Sequence, residues 1–174
     1  AQTEWAATPS AERARIVDRF ADLVVDRREE LLDLLQVETG KSRRTAVEEL
    51  FDVPAGCSYL AKTAPGVLSE ERRSGVAPGA TTATVTYDPI GVVGVISPWN
   101  YPLTLSMGDA LPALVAGNAV VLKPDEKTPY GALALAELLE VAGLPDGLFQ
   151  VVTGEGGTVG PALVDAVDYV AFTG

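Results

Sequence analysis

Residues 91–105 read GVVGVISPWNYPLTL. The run Val92–Ile96 is apolar without alternation, which fits a strand covered on both faces rather than one with a wet side. It stops abruptly at Pro98-Trp99-Asn100-Tyr101-Pro102, a rigid aromatic pentapeptide around one asparagine. Three further runs share the apolar character: AVVLK (119–123), LFQVV (148–152) and DYVAF (168–172). Helical periodicity fills the intervals, over Leu103 to Ala116, Tyr130 to Ala142 and Val159 to Asp165. Strand–helix–strand alternation four strands deep predicts an α/β fold, a parallel sheet with flanking helices and right-handed crossovers.

In open sheets of this kind, ligands bind beyond the carboxyl ends of the strands. The residues there are Ser97 to Pro102, Lys123-Pro124-Asp125-Glu126, Thr153-Gly154-Glu155-Gly156-Gly157 and Thr173-Gly174. Lys123 reads either as a strand-end lysine reaching for water or as a donor to a ribose or phosphate. Glu126 is either an acceptor for ribose hydroxyls or an acidic charge at the start of the helix after Thr128-Pro129. GEGGTVG (154–160) offers bare backbone amides at a helix start, although its glycine spacing departs from the dinucleotide fingerprint. Asn100 either satisfies a turn through its side chain or holds its amide ready for a developing oxyanion. Pro98 and Pro102 would preorganise it for the second role.

Composition narrows the chemistry. The 174 residues carry 13 Lys+Arg against 24 Asp+Glu, a net charge of −11. Such a field repels phosphate backbones and anionic lipid, so neither nucleic acid nor membrane is an expected partner. No apolar run reaches the roughly 18 residues of a membrane span, and AQTEWAATPSAERARIV has no signal-peptide core. A cytoplasmic protein is the expectation. The chain does not start with Met, so upstream sequence is expected. There is no histidine and one cysteine, Cys57, which removes disulfides, ordinary zinc sites and every histidine-based catalytic triad. Cys57 lies in a helical pattern with Val53, Leu60 and Ala61 and reads as a small core residue.

The front of the chain is helical by spacing. Ser10 reads as an N-cap, Ile16, Phe20, Leu23 and Val24 as one apolar face, and Leu31, Leu34 and Leu35 as the next. Asp26 to Glu30 marks a break between two helices, and Gly40 a stop. A further helix is expected over roughly Arg44 to Ala64, ended by Pro65-Gly66, with Pro54 and Gly56 inside it. Residues 69–80 read as a polar connection, and the Thr/Val alternation of 81–87 as an edge strand.

Taken together, DPIGVVGVISPWNYPLTL, GNAVVLKPDEKTP, AGLPDGLFQVVTG and DYVAFTG closely resemble the NAD(P)-dependent aldehyde dehydrogenase superfamily. WAATPSAERARI through LLQVETGK is similar to that family's N-terminal helices, so the resemblance covers essentially the whole chain. It implies a Rossmann-like fold and a partial one. Residues 1–78 would be the N-terminal helical part, 79–90 a strand of the small β oligomerisation element, and 91–174 the first part of the NAD-binding domain, with the catalytic domain absent. Asn100 matches the asparagine whose amide stabilises the thiohemiacetal oxyanion. Lys123 and Glu126 match the holders of the adenosine ribose, with Pro124 and Asp125 between them. Ile96, Ser97, Pro98 and Trp99 match the cofactor cleft, and Gly156 and Gly160 the adenine-side turn. Phe172 and Gly174 belong to the strand end that precedes the pyrophosphate-facing helix.

Tyr101, Leu105 and Gly108, at i, i+4 and i+7, correspond to the face that lines the family's substrate tunnel. The small residue at Gly108 leaves room for a polar or longer aldehyde. Glu126 would repel a 2′-phosphate, so NAD is expected over NADP. The reaction implied is oxidation of a small aldehyde to the acid through a cysteine thiohemiacetal and thioester, and the motif wording leans towards succinate semialdehyde. The family's cysteine and glutamate lie downstream of anything here, so this chain alone is expected to be inactive and the full-length protein to be a homodimer or homotetramer. Two other readings stand beside it. One is a short protein that binds a nucleotide or a partner without catalysis. The other is a superfamily member that reduces acyl phosphates or acyl-CoA.

Overall fold

The computed structural model describes residues 1–77 and 79–174. Four helices come first: α1 (Gln2–Ala7), α2 (Ser10–Asp26), α3 (Arg28–Thr39) and α4 (Arg43–Val67). A two-stranded antiparallel ribbon follows, β1 (Glu71–Ser74) on β2 (Thr82–Val85). The chain then alternates β3 (Val92–Ile96), α5 (Pro102–Val115), β4 (Ala119–Lys123), α6 (Pro129–Val141), β5 (Phe149–Val151), α7 (Gly156–Ala166) and β6 (Tyr169–Phe172). The last four strands form one parallel sheet in the order β5-β4-β3-β6. This is the α/β architecture that the apolar runs predict. No helix among the described residues is long and apolar enough to cross a membrane.

Several local expectations shift. Ser10 is not the N-cap of α2. Pro9 takes that place with its carbonyl accepting from Glu12 and Arg13 N–H, and no side chain caps the helix. Arg13 turns inward instead, where its guanidinium donates to the carbonyls of Val115, Trp5, Ala6 and Thr8. Burial lowers its pKa from the ordinary value. Helix α4 continues through Pro54 and Pro65 to Val67. Each proline removes one N–H, but Ala46, Leu50, Val53, Cys57 and Ala64 keep one face of the helix buried. The polar connection expected over 69–80 contains β1, whose ERRS sequence has no apolar alternation because all four residues are exposed. Pro78, which falls in that connection and at the expected 78/79 boundary, lies outside the described residues. Helix α7 starts at Gly156 rather than Val159, because the Glu155 carbonyl already accepts from Thr158 and Val159 N–H.

Register explains why the loops meet. Ile96 is level with Lys123 on one side and Phe172 on the other, and Leu122 with Val151. Residues 97, 124, 152 and 173 therefore leave the sheet at one edge. Gly94 lets α7 lie close on the central strand, since a Cβ there would sit 3.1 Å from Val167 Cγ2 and 3.2 Å from Leu163 Cγ. Val93 and Val95 point to the opposite face and are buried.

Helices α5 and α6 each begin at a proline, and neither N-cap side chain makes a capping bond. Carboxylates from the N-terminal helices do the capping. Glu49 of α4 is 0% exposed and accepts from Leu103 N–H at 2.8 Å. Glu38 of α3 accepts from Tyr130 N–H at 2.6 Å and Gly131 N–H at 2.9 Å. A Cβ at Gly131 would stand 3.2 Å from Glu38 Oε2, so the glycine admits this approach.

Burial raises the Glu38 carboxyl pKa above its ordinary value of 4.5, and the two N–H bonds only partly oppose that. The folded state then holds a proton that the unfolded state has released. Stability from this group is complete below the ordinary value and is lost as pH rises through the folded one. In urea unfolding at about pH 4 and about pH 8, the stability of the parent relative to Glu38→Gln should fall on going to the higher pH. An unchanged or rising difference contradicts the assignment.

Candidate functional site

The order β5-β4-β3-β6 places a topological switch beside β3: the chain steps outward to β4 and β5, then returns to the other side for β6. Ligand crevices in doubly wound sheets form at this point. A cleft of about 380 Å³ opens there, lined by Pro98, Trp99, Asn100, Leu105, Thr173 and Gly174. Thr173 N–H donates to the Ile96 carbonyl at 3.0 Å, which holds the two strand ends together.

The Ser97–Pro102 loop is anchored at both ends. Ser97 is buried, its N–H bonded to the Lys123 carbonyl at 3.2 Å and its hydroxyl 2.8 Å from that of Ser106 on α5. Its side chain is thus engaged inside the fold and does not face the cleft. Trp99 is 49% exposed, with the Lys127 ammonium 5.7 Å from its ring centroid. Asn100 is exposed, and among the described residues its side-chain amide makes no hydrogen bond. A turn-satisfying role for that amide therefore has no bond behind it. The amide is free to donate.

A second group of residues gathers at the end of β4. Lys123 is 3% exposed, and its ammonium donates to the Pro124 carbonyl at 2.9 Å. It stands 3.8 Å from Glu126 Oε2, and the same oxygen accepts from Gly156 N–H at 3.3 Å. Asp125 closes a turn by accepting from Lys127 N–H at 2.9 Å. Gly156 and Gly157 are exposed with nothing within 4 Å of a built Cβ, so the start of α7 presents bare backbone, whereas Gly160, one turn on, is buried in the fold. Lys123, Glu126 and Gly156 come together; Glu126 touches the start of α7 rather than that of α6, and its side chain remains half-exposed.

The three tunnel residues do not share one cavity. Leu105 lines the cleft with Asn100. Gly108 lines a separate groove of about 230 Å³ between α4 and α5, with Asp52, Tyr59, Leu60, Thr104 and Met107 among its walls. Tyr101 lies under the Lys41 ammonium, 4.0 Å from ring centroid to nitrogen. Leu105 and Gly108 thus line two different openings along the first turns of α5. Phe172 is 67% exposed at the end of β6, and Gly174 lines the cleft.

A model of the aldehyde dehydrogenase family matches residues 1–174. This chain belongs to the aldehyde dehydrogenase family. A Mycobacterium tuberculosis relative, named as an NADP(+)-type succinate-semialdehyde dehydrogenase 2, is 54% identical over the whole of this aldehyde dehydrogenase chain and 34% of its own length. The structure of an NAD-dependent aldehyde dehydrogenase from Sinorhizobium meliloti superposes with a TM-score of 0.90 at 38% identity, covering 97% of this chain and 34% of that one. That of an NAD-dependent benzaldehyde dehydrogenase from Corynebacterium glutamicum gives 0.86 at 39% identity, covering 99% and 38%. The chain thus spans about a third of the length of the curated relatives it matches.

Aldehyde dehydrogenase chemistry of the cysteine type needs a thiolate, and Cys57 does not provide one. It is fully buried on α4, and burial pushes its thiol pKa up to about 12. A thiol reagent such as DTNB at about pH 8 should leave the native chain unmodified and label one thiol per chain in denaturant. Rapid labelling of the native chain would contradict the packing described.

Proposed function

We propose that this chain supplies the dinucleotide-binding sheet edge and one oxyanion donor of an enzyme that oxidises an aldehyde to a carboxylic acid with NAD(P). The observation that carries this reading is the free, doubly anchored amide of Asn100 in the cleft at the strand switch, beside the Lys123–Glu126–Gly156 cluster. The residues fit a dinucleotide. Lys123 can donate to a ribose hydroxyl and Glu126 can accept from one. The glycine-faced start of α7 leaves space for a flat ring or a phosphate oxygen. Ile96, Pro98 and Trp99 form the wall towards the reacting end, with Pro124, Asp125, Phe172 and Gly174 completing the edge. When bound, the nicotinamide supplies a hydride acceptor.

Asn100 acts by donating its side-chain N–H to the oxygen of the aldehyde as negative charge develops there, a contribution of roughly 3 kcal/mol for such a donor. Cys57, sealed and protonated, is not the nucleophile of that reaction. By itself the chain binds the dinucleotide without turnover. The groove beside Gly108 offers the path for the aldehyde tail. Succinate semialdehyde is the first substrate to assay, on the names of the relatives. Asp52 is the charged residue in that groove and would disfavour the carboxylate of such a substrate beside it. The exposed β1–β2 ribbon is the element we assign to assembly as a dimer or tetramer.

Glu126 makes NAD the preferred cofactor, because its carboxylate would face a 2′-phosphate. Titration calorimetry of the 174-residue chain should give tighter binding of NAD than of NADP, and Glu126→Gln should narrow the ratio several-fold. Incubation with NAD and aldehyde should yield no NADH. Tighter binding of NADP by the parent, or turnover by the isolated chain, contradicts this assignment.

A further inference from the structure

We infer that Lys41 is a positioning residue for Asn100, acting through the Tyr101 ring and the Glu49 carboxylate. The inference rests on the oxyanion role proposed above. Lys41 lies in the turn between α3 and α4, far from Asn100 in sequence. Its side chain is only 14% exposed, and its ammonium is ion-paired to the 0% exposed Glu49 carboxylate and stands 4.0 Å from the Tyr101 ring centroid. The other Glu49 oxygen takes the Leu103 N–H at 2.8 Å, and the Glu49 carbonyl takes the Thr104 hydroxyl at 3.1 Å. Residues 101 and 103 are thus each fixed to one ion pair, and Thr104 to the backbone of Glu49. Pro102, between them, has no N–H to place.

On the other side of Asn100, Ser97 is fixed to Lys123 and Ser106. The asparagine is therefore the free middle of a clamped segment, and the Lys41–Glu49 pair is the clamp on its C-terminal side. A cation over a ring sets the ring plane without requiring its hydroxyl, and so holds Tyr101, and the peptide that precedes it, in one arrangement. Misplacing a transition-state donor by even about 1 Å is costly, on the order of a hundredfold in rate.

Removing only one charge would strand the other in the interior, so the informative variant is the double one, Lys41→Met with Glu49→Gln. It leaves no lone buried charge, keeps an oxygen for the Leu103 N–H, and takes the cation away from the Tyr101 ring. In the full-length enzyme we expect kcat to fall roughly tenfold or more. The KM for NAD should stay within about twofold, because the cofactor-binding residues are untouched. Lys41→Arg should restore most of kcat. A control of similar stability loss in α3, Leu32→Ala, should keep its kcat per folded molecule.

A second readout needs no turnover. In the 174-residue chain, the side-chain amide protons of Asn100 should give one sharp NMR pair in the parent and shifted, exchange-broadened signals in the double variant. Unchanged Asn100 signals, or a double variant with parental kcat, overturn the inference. If the parent enzyme oxidises no aldehyde while the NMR change occurs, the proposed function fails and the clamp stands.

Discussion

Two carboxylates, the buried Glu49 and the half-buried Glu38, hold the halves of this molecule in register. Helices α5 and α6 start on prolines and lack side-chain caps of their own, so their first N–H groups need partners from elsewhere. Glu49 and Glu38 reach across from α4 and α3 to provide them. Each contact fixes a helix start, and each helix start is also the end of a loop at the carboxyl edge of the sheet. The Asn100 loop runs into α5 and the Lys123–Glu126 loop into α6. The N-terminal helices are therefore more than cover for an apolar face. They determine where the residues of the edge stand.

The parallel sheet was the most legible feature in the sequence, because strands buried on both faces cannot hide their unbroken apolar runs. Register then follows, and with it the meeting of the four loops. The cluster of Lys123, Glu126 and Gly156 was legible for the same reason. What escaped was set by tertiary partners. Strand β1, ERRS, exists only because TATV pairs with it. Pro9 rather than Ser10 holds the cap position of α2, and Arg13 turns inward to four carbonyls. The split of Leu105 from Gly108 depends on how α4 lies against α5, which helical spacing alone does not convey. Glu49 did leave a signal: it sits on the Ala46–Leu50–Val53–Cys57 stripe of α4, and a carboxylate on an apolar stripe calls for a buried partner.

The chemistry follows from an asymmetry in what the edge has used up. Several polar groups near the strand ends are engaged internally, including the Ser97 hydroxyl, the Lys123 ammonium and the Asp125 carboxylate. The Asn100 amide is not, and the cleft at the strand switch opens beside it, which is what the oxyanion role proposed above draws on. Glu126 is also divided: one oxygen lies near both Lys123 and Gly156, while the side chain remains 49% exposed and able to accept from a hydroxyl.

The carboxyl edge of the β5-β4-β3-β6 sheet is the place proposed for a nicotinamide dinucleotide. Backbone amide shift mapping of the 174-residue chain during an NAD titration tests this directly. Saturable shifts are expected on Trp99, Asn100, Lys123, Glu126, the start of α7 and Thr173, with the opposite edge and the β1–β2 ribbon unmoved. Shifts confined to other surfaces, or none at saturating NAD, would contradict it.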